Sequence, residues 1–341
     1  MFQTTIIVFE HAVPPDVFRY SLKILAFSFP ICYNVPMNQA VIKTTGLTKV
    51  YGKKERRKCA VDAVSMTVQR GDIYGFIGAN GAGKTTFLRM LMGLARPTAG
   101  KIELFGEGGA ASLTKNRARI GCIIETPALI LSMTARDCLT AHKLLIGRRE
   151  ADIDGLLAKV GLSDTGPKKV KDFSLGMKQR LAIAQALMCG PEVLILDEPT
   201  NGMDPAGIVE VRNFLKGLAS SGITILMSSH ILSELEQLAT RFGIIADGKL
   251  IEEFSAGELE RKRVRNITVR VYPYERACAL IAVMAGVGGY KLLGEGRILL
   301  EDEADFKAVN KLFVKNDIDV EVIEKEAGGL EKYFIEVTNH E

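Results

Sequence analysis

A glycine-rich run that ends in lysine and threonine has the residue types and spacing that could bind a chain of phosphates. It matches the pattern GxxxxGK[ST], with one further threonine after it, and consists of Gly78, Ala79, Asn80, Gly81, Ala82, Gly83, Lys84, Thr85 and Thr86. Glycines allow backbone N–H groups to surround phosphate oxygens at the positive end of a helix. In such a loop, Lys84 reaches the β- and γ-phosphates and the Thr85 hydroxyl binds Mg²⁺. Glycine-rich turns also occur as plain connectors, but the Lys-Thr pair favours the phosphate loop.

Two adjacent carboxylates follow an apolar stretch later in the chain. Residues 193–196 predict a central buried strand, and Asp197 and Glu198 stand at its end. We expect Asp197 to reach the magnesium shell and Glu198 to polarise a water in line with the γ-phosphate. Alone, the pair could lie in a solvated turn; together with the phosphate loop, it predicts a nucleoside triphosphatase.

A third motif distinguishes among the families that share a phosphate loop. About 20 residues before Asp197 stand Ser174, Leu175, Gly176, Met177, Lys178 and Gln179. Ser174 is a good N-cap for a helix predicted at residues 177–187, and Gly176 permits close backbone approach. By itself, the segment could be an ordinary capped helix. Its sequence, SLGMKQ, resembles a variant of the LSGGQ signature of ABC-type ATPases.

The resemblance to ABC-type ATPases runs through most of residues 41–248, in the family's order and spacing. Tyr51 resembles the aromatic residue that stacks on adenine, and Asp204 resembles the acidic residue of the dimer-contacting D-loop. His230 matches the switch histidine that contacts the γ-phosphate. The resemblance implies that Glu198, His230 and Lys84 are catalytic, and that the signature acts on nucleotide held by a second subunit.

Glu125 departs from the family pattern, because the family normally has a glutamine there that coordinates Mg²⁺ and senses the transmembrane partner. A carboxylate can still bind Mg²⁺, so the expected metal residues are Thr85, Asp197 and Glu125, although its charge alters the local electrostatics. Glu125, the SLGMKQ variant and a C-terminal appendage together resemble the bacitracin- and lantibiotic-exporter branch of ATP-binding subunits.

The elements that must position these motifs alternate along the chain. Residues 193–196 and 223–227 predict strands on either side of a helix at residues 206–218, which indicates a parallel sheet. The resemblance implies an α/β P-loop NTPase of ABC type, with a parallel-sheet core, an antiparallel β subdomain and a helical subdomain. We expect residues 37–255 to form this ATPase domain and residues 256–341 to form a linker and a small C-terminal α+β domain.

Composition and charge narrow the possible classes further. The chain has 341 residues, 47% hydrophobic and 25% charged, which fits a globular protein of about two domains. A net charge of +4 gives no nucleic-acid-binding footprint. The six cysteines lack the spacing of metal ligands, which indicates a reduced, cytosolic chain. The charge-free residues 217–233 include five serines and are too short for a bilayer span of about 20 residues.

The resemblance also implies ligands, partners and location. ATP and Mg²⁺ would bind at the interface of a head-to-tail homodimer, or of a pair with a related ATPase subunit. Separate transmembrane permease subunits would dock near residues 125–137, at the cytoplasmic face of the membrane. A soluble regulatory ATPase remains an alternative, but the chain lacks coiled-coil insertions, zinc motifs and a second cassette. A GTPase would require an NKxD motif, and Phe313 stands at the aspartate position.

Residues 1–36 differ in composition from the rest, with 7 of the 23 phenylalanines and tyrosines and 4 of the 11 prolines. The residues from Met37 onward read like the start of a first strand. One hypothesis is that translation begins at Met37 and that residues 1–36 are not part of the native protein. The other is a hydrophobic arm that contacts the membrane or a partner.

Overall fold

A computed structural model describes residues 39–52, 57–262, 265–283, 290–294, 296–300, 306–327 and 330–339. Contacts divide the chain into residues 1–37 and residues 38–341, and every described residue lies in the second unit. The hypotheses about residues 1–36 concern a segment that lies outside the described residues. No described helix is long and apolar enough to cross a membrane.

A six-stranded sheet carries the strand-end motifs. Its strands, in spatial order, are β11 (Lys249–Ser255), β10 (Arg241–Ala246), β4 (Ile73–Ile77), β9 (Thr224–Ser229), β8 (Val193–Asp197) and β7 (Ile120–Ile123). All neighbouring pairs are parallel except β10 and β11. β4, β8 and β9 are buried along their whole length, as expected for inner strands of a sheet covered on both faces. The ends of these strands therefore meet along one edge of the sheet.

A second, antiparallel sheet packs beside it. Its strands are β1 (Ala40–Tyr51), β2 (Lys58–Val64), β3 (Thr67–Gln69), β5 (Ala99–Leu104) and β6 (Glu107–Gly108). The chain from residue 58 to residue 69 is divided between β2 and β3. Ala63 has a φ of 50°, in the left-handed region, and the Ser65 hydroxyl accepts a hydrogen bond from Gly46 N, so the strand breaks there.

Seven α-helices of the described region lie between these strands. They are α1 (Lys84–Leu91), α2 (Ala110–Arg117), α3 (Ala135–Leu145), α4 (Ile153–Lys159), α5 (Leu175–Leu187), α6 (Pro205–Ser220) and α7 (Leu232–Glu236). α3, α4 and α5 pack around their own apolar cluster, which includes Leu139, Leu157 and Leu181. This cluster is the core of the helical subdomain implied by the family resemblance.

The C-terminal region folds as a four-stranded antiparallel sheet with two helices. After α8 (Ala256–Lys262), the elements are β12 (Arg265–Tyr272), α9 (Tyr274–Val283), β13 (Tyr290–Gly294), β14 (Arg297–Leu300), α10 (Phe306–Lys315) and β15 (Asp319–Ala327). The spatial order β13-β14-β12-β15 gives the β-α-β-β-α-β arrangement of ferredoxin-like domains. The small α+β fold expected here is therefore present.

A last helix, α11 (Leu330–Asn339), returns to the ATPase core. Leu330 is fully buried in the cluster that covers one face of the six-stranded sheet, and its N–H donates to Glu236 Oε2 at 3.1 Å. The Tyr333 ring meets Phe254 edge-on, with ring centroids 5.3 Å apart. The C-terminal region is thus joined to the cassette at both of its ends, through α8 and through α11.

Candidate nucleotide site

The phosphate loop connects β4 to α1, and two of its glycines leave no space for a side chain. A Cβ on Gly78 would lie 2.5 Å from the Ile245 carbonyl oxygen, and one on Gly83 would lie 2.3 Å from that of Ala60. Gly83 also has a φ of 107°, a conformation that side chains rarely permit. The loop is therefore fixed against its neighbours, with the N–H groups at the start of α1 lacking intrahelical partners.

Lys84 is the first residue of α1, and it is 5% exposed. Its Nζ donates to the carbonyl oxygens of Gly78 at 2.6 Å and Ala79 at 3.2 Å. It also lies 3.1 Å from Glu198 Oε1. The charge of this buried lysine is thus balanced by one carboxylate and oriented by its own loop.

Asp197 accepts one hydroxyl hydrogen bond on each carboxylate oxygen. Thr85 Oγ1 donates to Oδ2 at 2.8 Å, and Ser228 Oγ donates to Oδ1 at 2.6 Å. Asp197 and Ser228 are paired positions on the neighbouring parallel strands β8 and β9. The sheet therefore places the carboxylate of one strand end beside the first turn of α1.

Glu198 stands one residue beyond the strand, with a φ of 47°. A non-glycine residue in this region costs of the order of 1–3 kcal/mol and persists only where its surroundings hold it. Its Oε2 accepts from His230 N at 3.3 Å and lies 2.7 Å from His230 Nδ1. The left-handed turn aims the carboxylate between the Lys84 ammonium and the His230 imidazole.

A cavity of about 340 Å³ opens in front of these groups. Its walls come from the phosphate loop, the β1–β2 hairpin and the carboxylate pair, through Tyr51, Lys58, Ala60, Ala79, Asn80, Gly81, Gly83, Lys84, Thr85, Thr86 and Glu198. Tyr51 is 41% exposed, and Lys49 Nζ lies 4.9 Å from the centroid of its ring. An aromatic ring on one side and the phosphate loop with the Lys84 ammonium on the other suit a base and its phosphates.

The predicted signature residues lie outside this cavity, at the start of α5. Ser174 caps the helix, its Oγ accepting from Met177 N at 3.2 Å, and Lys178 Nζ donates to Lys171 O at 3.3 Å. Leu175 is 46% exposed, whereas Gly176 and Gln179 are buried. Asp204 caps α6, accepting from Gly207 N at 3.2 Å. The structure therefore brings the phosphate loop, Asp197, Glu198 and His230 together, and leaves the signature and D-loop residues apart from them.

Glu125, the third predicted metal residue, has a different partner. It is 56% exposed, has a φ of 65°, and forms an ion pair with Arg89 of α1. Thr85 contacts Asp197 directly, whereas the described contact of the Glu125 carboxylate is with Arg89. The metal roles of Thr85, Asp197 and Glu125 stay predictions.

Three groups around the site escaped the sequence analysis. They are Ser228, Arg89, and the buried pair in which Thr200 Oγ1 donates to Glu234 Oε2. Each depends on two segments that are distant in the sequence, so no local spacing reveals it. The one available signal is that Ser228 stands two residues before His230.

The donor set suits a magnesium–nucleotide complex. A threonine hydroxyl and a carboxylate 2.8 Å apart are hard oxygen ligands, which Mg²⁺ prefers, and Mg²⁺ usually takes only one or two protein ligands beside substrate phosphates. Within the described residues, no group of three or more histidine, cysteine, aspartate or glutamate side chains could hold a metal by itself. Any Mg²⁺ here would therefore share its ligands with phosphate oxygens.

Comparison with known proteins gives the family. The family model of the ABC transporter matches residues 61–201. The bacitracin transport ATP-binding protein BcrA of Bacillus licheniformis is 44% identical over 300 residues, covering 87% of this chain and 97% of that protein. The chain belongs to the ABC transporter ATP-binding proteins. The lantibiotic transport ATP-binding protein SrtF of Streptococcus pyogenes is similar too, at 44% identity over 62% of this chain and 90% of its own length.

Solved structures agree with this ABC transporter assignment. A dimeric ATP-binding cassette bound to ADP and Pi in a post-hydrolysis state has a TM-score of 0.56 and 25% identity, covering 63% of this chain and 98% of that one. A subunit of the ABC transporter complex cbiONQ from Clostridium perfringens has a TM-score of 0.59 and 26% identity, covering 66% and 92%. The expected fold class and family are confirmed, and this ABC protein is an ATP-binding subunit with an ABC ATPase domain.

Proposed function

We propose that this ABC protein powers export of a peptide antibiotic or another amphipathic compound through separate permease subunits, at the cytoplasmic face of the membrane. The observation that carries its hydrolytic part is Glu198, held between Lys84 and His230 beside the Asp197–Thr85 pair. The cargo class is supported by relatives named for bacitracin and lantibiotic transport and for daunorubicin resistance.

The proposed roles within one subunit follow from the contacts of each side chain. Glu198 is the general base, because a carboxylate at the mouth of the phosphate loop can accept a proton from an attacking water. Lys84 and His230 both contact this carboxylate, and both can donate to phosphate oxygens. Tyr51 supports the base of ATP, and the N–H groups of the loop hold its phosphates.

The proposed magnesium residues are Thr85 and Asp197, which are already in contact, with Glu125 as a third. When bound, Mg²⁺ would neutralise charge that develops on the phosphates. Glu125 lies in an ion pair with Arg89, so it would need to change partner to reach a metal. This existing partner favours a sensing role for Glu125 over a resident ligand role.

The signature residues act in trans under this proposal, from Ser174 to Gln179. Ser174 stands at the N-terminus of a 13-residue helix, where backbone N–H groups and a hydroxyl favour an anion. Because these groups lie outside the cavity of their own chain, a second subunit in head-to-tail orientation would supply the phosphate. Asp204, at the start of α6, would lie at the same interface. Hydrolysis would remove the phosphate contact and allow the pair to separate.

A groove beside Glu125 is the proposed docking site for the permease. Its volume is about 370 Å³, and its lining is mainly apolar, including Leu94, Ile124, Pro127 and Ala186, with His142 at one side. Burial lowers the pKa of His142, which therefore stays uncharged near neutral pH. An apolar groove flanked by the Arg89–Glu125 pair suits an amphipathic helix of a membrane subunit.

The domain boundaries follow from the same reasoning. We assign residues 37–255 to the ATPase domain and residues 256–341 to a linker and an accessory domain. β11 ends at Ser255, the last strand of the six-stranded sheet in chain order, which supports the boundary at that point.

The decisive variant is Glu198→Gln, which keeps the side-chain shape and removes the base. We expect ATP binding and dimerisation to persist while turnover falls about 10³-fold, since a general base contributes roughly 10²–10⁴-fold. Steady-state phosphate release checks this, with Glu210→Gln on the outer surface of α6 as a control for the same chemical change. Near-normal turnover in Glu198→Gln would contradict the assignment.

The transport part needs a separate test. Co-purification of the chain from detergent-solubilised membranes should bring down a permease subunit. Addition of bacitracin or a lantibiotic to the complex should then stimulate its ATPase. A chain that purifies alone from membranes, with unaltered ATPase, would argue against the exporter proposal while leaving the hydrolytic site intact.

A further inference from the structure

Ser228 occupies a position between the two carboxylates of the site. Its side chain is fully buried in β9, next to the end of β8. Its Oγ donates to Asp197 Oδ1 at 2.6 Å and accepts from Glu198 N at 3.0 Å. The Ser228 hydroxyl thus donates its one hydrogen to the carboxylate of Asp197 and accepts a hydrogen bond from the backbone of Glu198, the next residue.

We infer that Ser228 is a positioning residue that holds Asp197 and Glu198 in working order, an inference that rests on the proposed roles of those two residues. Among the described contacts, its hydroxyl bonds only to the Asp197 carboxylate and to the backbone of Glu198. It acts by fixing the direction of the Asp197 carboxylate and the backbone turn at Glu198.

Asp197 is held by a hydrogen bond on each carboxylate oxygen, and it is only 7% exposed. A carboxylate can rotate about its last bond, and a hydrogen bond on each oxygen removes that freedom. With Ser228 on Oδ1, the oxygen Oδ2 is directed at Thr85 Oγ1. The two proposed magnesium ligands are thereby held together before any metal arrives.

The backbone of Glu198 is in the left-handed region, at a φ of 47°. A side chain at such a position relaxes to an ordinary conformation unless something holds the peptide group. The bond from its N–H to Ser228 Oγ supplies that restraint from a buried, rigid strand. Loss of the bond would let the carboxylate swing away from Lys84 and His230.

The register of the sheet makes this role specific to position 228. Asp197 pairs with Ser228 in the parallel ladder, and Leu196 pairs with Met227. Ser229 is equally buried, but its hydroxyl bonds only to the backbone of Ile231 among the described contacts. Two adjacent serines of the same strand therefore differ in what they hold, which provides a matched control.

The test compares Ser228→Ala with Ser229→Ala, first by steady-state ATPase. We expect Ser228→Ala to lower kcat about 10–100-fold, because it loses a hydrogen bond to a charged group and leaves a buried N–H unpaired. Ser229→Ala should stay within about threefold of the wild type. Ser228→Cys keeps the volume of the side chain and bonds more weakly, so it should fall between Ser228→Ala and the wild type.

A second readout separates positioning from general loss of structure. Mg²⁺ is titrated into each protein in the presence of fluorescent ADP, which is not hydrolysed and so requires no change at Glu198. Ser228→Ala should weaken the Mg²⁺ dependence about tenfold and leave ADP affinity in EDTA and the unfolding temperature near those of Ser229→Ala. Equal behaviour of the two alanine variants would overturn the inference, as would a fall in ADP affinity in EDTA that matches the fall in Mg²⁺ affinity. Normal turnover of Glu198→Gln itself would instead refute the proposed function.

Discussion

The residues around Glu198 form their polar contacts inside one chain, whereas the residues at the start of α5 are exposed to solvent. Lys84 and Glu198 have their charged atoms paired and mostly buried, and His230 contacts the same carboxylate. Ser174 and Leu175 are exposed, and the Ser174 hydroxyl bonds only within its own helix among the described contacts. The difference teaches that the chain itself assembles the hydrolytic half of the site. In the proposed dimer, Ser174 and Leu175 lie at the surface of the chain, where the second subunit would bring its phosphate.

The largest effect that tests this contrast is expected for Ser174→Asp. Aspartate caps a helix as well as serine does, so the fold of α5 should persist, but its charge repels a phosphate. We expect binding of ATP to a single subunit to remain, while dimerisation is lost and turnover falls about 10²–10³-fold, as for loss of an oxyanion-type donor. Analytical ultracentrifugation with ATP measures the dimer, and phosphate release measures turnover.

The matched control is Ser174→Asn, which is also a good cap but carries no charge. Its turnover should lie well above that of the aspartate variant. If both variants were equally impaired, the cap rather than the anion site would explain the effect.

A smaller effect is expected at Glu125, because its ion pair with Arg89 is exposed to solvent. Glu125→Gln should change the free energy of unfolding by less than about 1 kcal/mol, since exposed pairs contribute little. We expect the ATPase of the chain alone to change by no more than about threefold, and its stimulation by the permease to change more. Comparison with Arg89→Gln shows whether the pair acts as a unit. Identical stimulation in all three proteins would count against a sensing role for Glu125.

The smallest effect is expected at the opposite ends of the same strands, away from nucleotide. Glu192 lies 2.9 Å from Arg70 and 2.6 Å from Arg119, and hydrogen bonds from these two arginines lower its pKa below the ordinary 4.5. Because the folded-state pKa is depressed, this stabilisation is present above pH 4.5 and lost as the pH falls below it. Glu192→Gln should lower stability by about 0.5–1 kcal/mol at pH 7, given partial exposure.

Thermal unfolding as a function of pH checks this last expectation. The variant should melt about 1–4 °C lower at pH 7, and the gap should close towards pH 4. ATPase activity at pH 7 should be unaffected. A constant gap at every pH would show that packing, rather than the ion pairs, explains the difference.

Local pattern predicts those elements whose signal is confined to consecutive residues. The strand expected at residues 193–196 is β8, whose five residues are all buried, and the helix expected to end at residue 187 is α5, which Ser174 caps. By contrast, β5 and β10 were not predicted. Ala99–Leu104 is largely exposed and pairs with β1, and Arg241–Ala246 is defined by pairing with β4, far away in sequence.

The site divides along the same line. A phosphate loop and an apolar strand that ends in a carboxylate can each be recognised from consecutive residues. The sequence therefore predicts that Lys84, Thr85 and Asp197 lie close together, and Thr85 does contact Asp197. Ser228 could not be predicted, because its contact depends on the register of two parallel strands, which no local spacing determines. The partner of Glu125 could not be predicted either. Arg89 pairs with it only because the fold brings α1 close to the segment that follows β7.

The return of α11 to the core has a consequence for the order in which the protein can be made. Leu330, Tyr333 and Phe334 belong to the same apolar cluster as Ile73 and Phe242. A ribosome therefore releases the phosphate-loop strand long before it has synthesised the helix that covers part of the surrounding core. During that interval the apolar surface under α11 is open to chaperones and to other nascent chains. A chain truncated before residue 330 would keep that apolar surface exposed and should therefore be prone to aggregation.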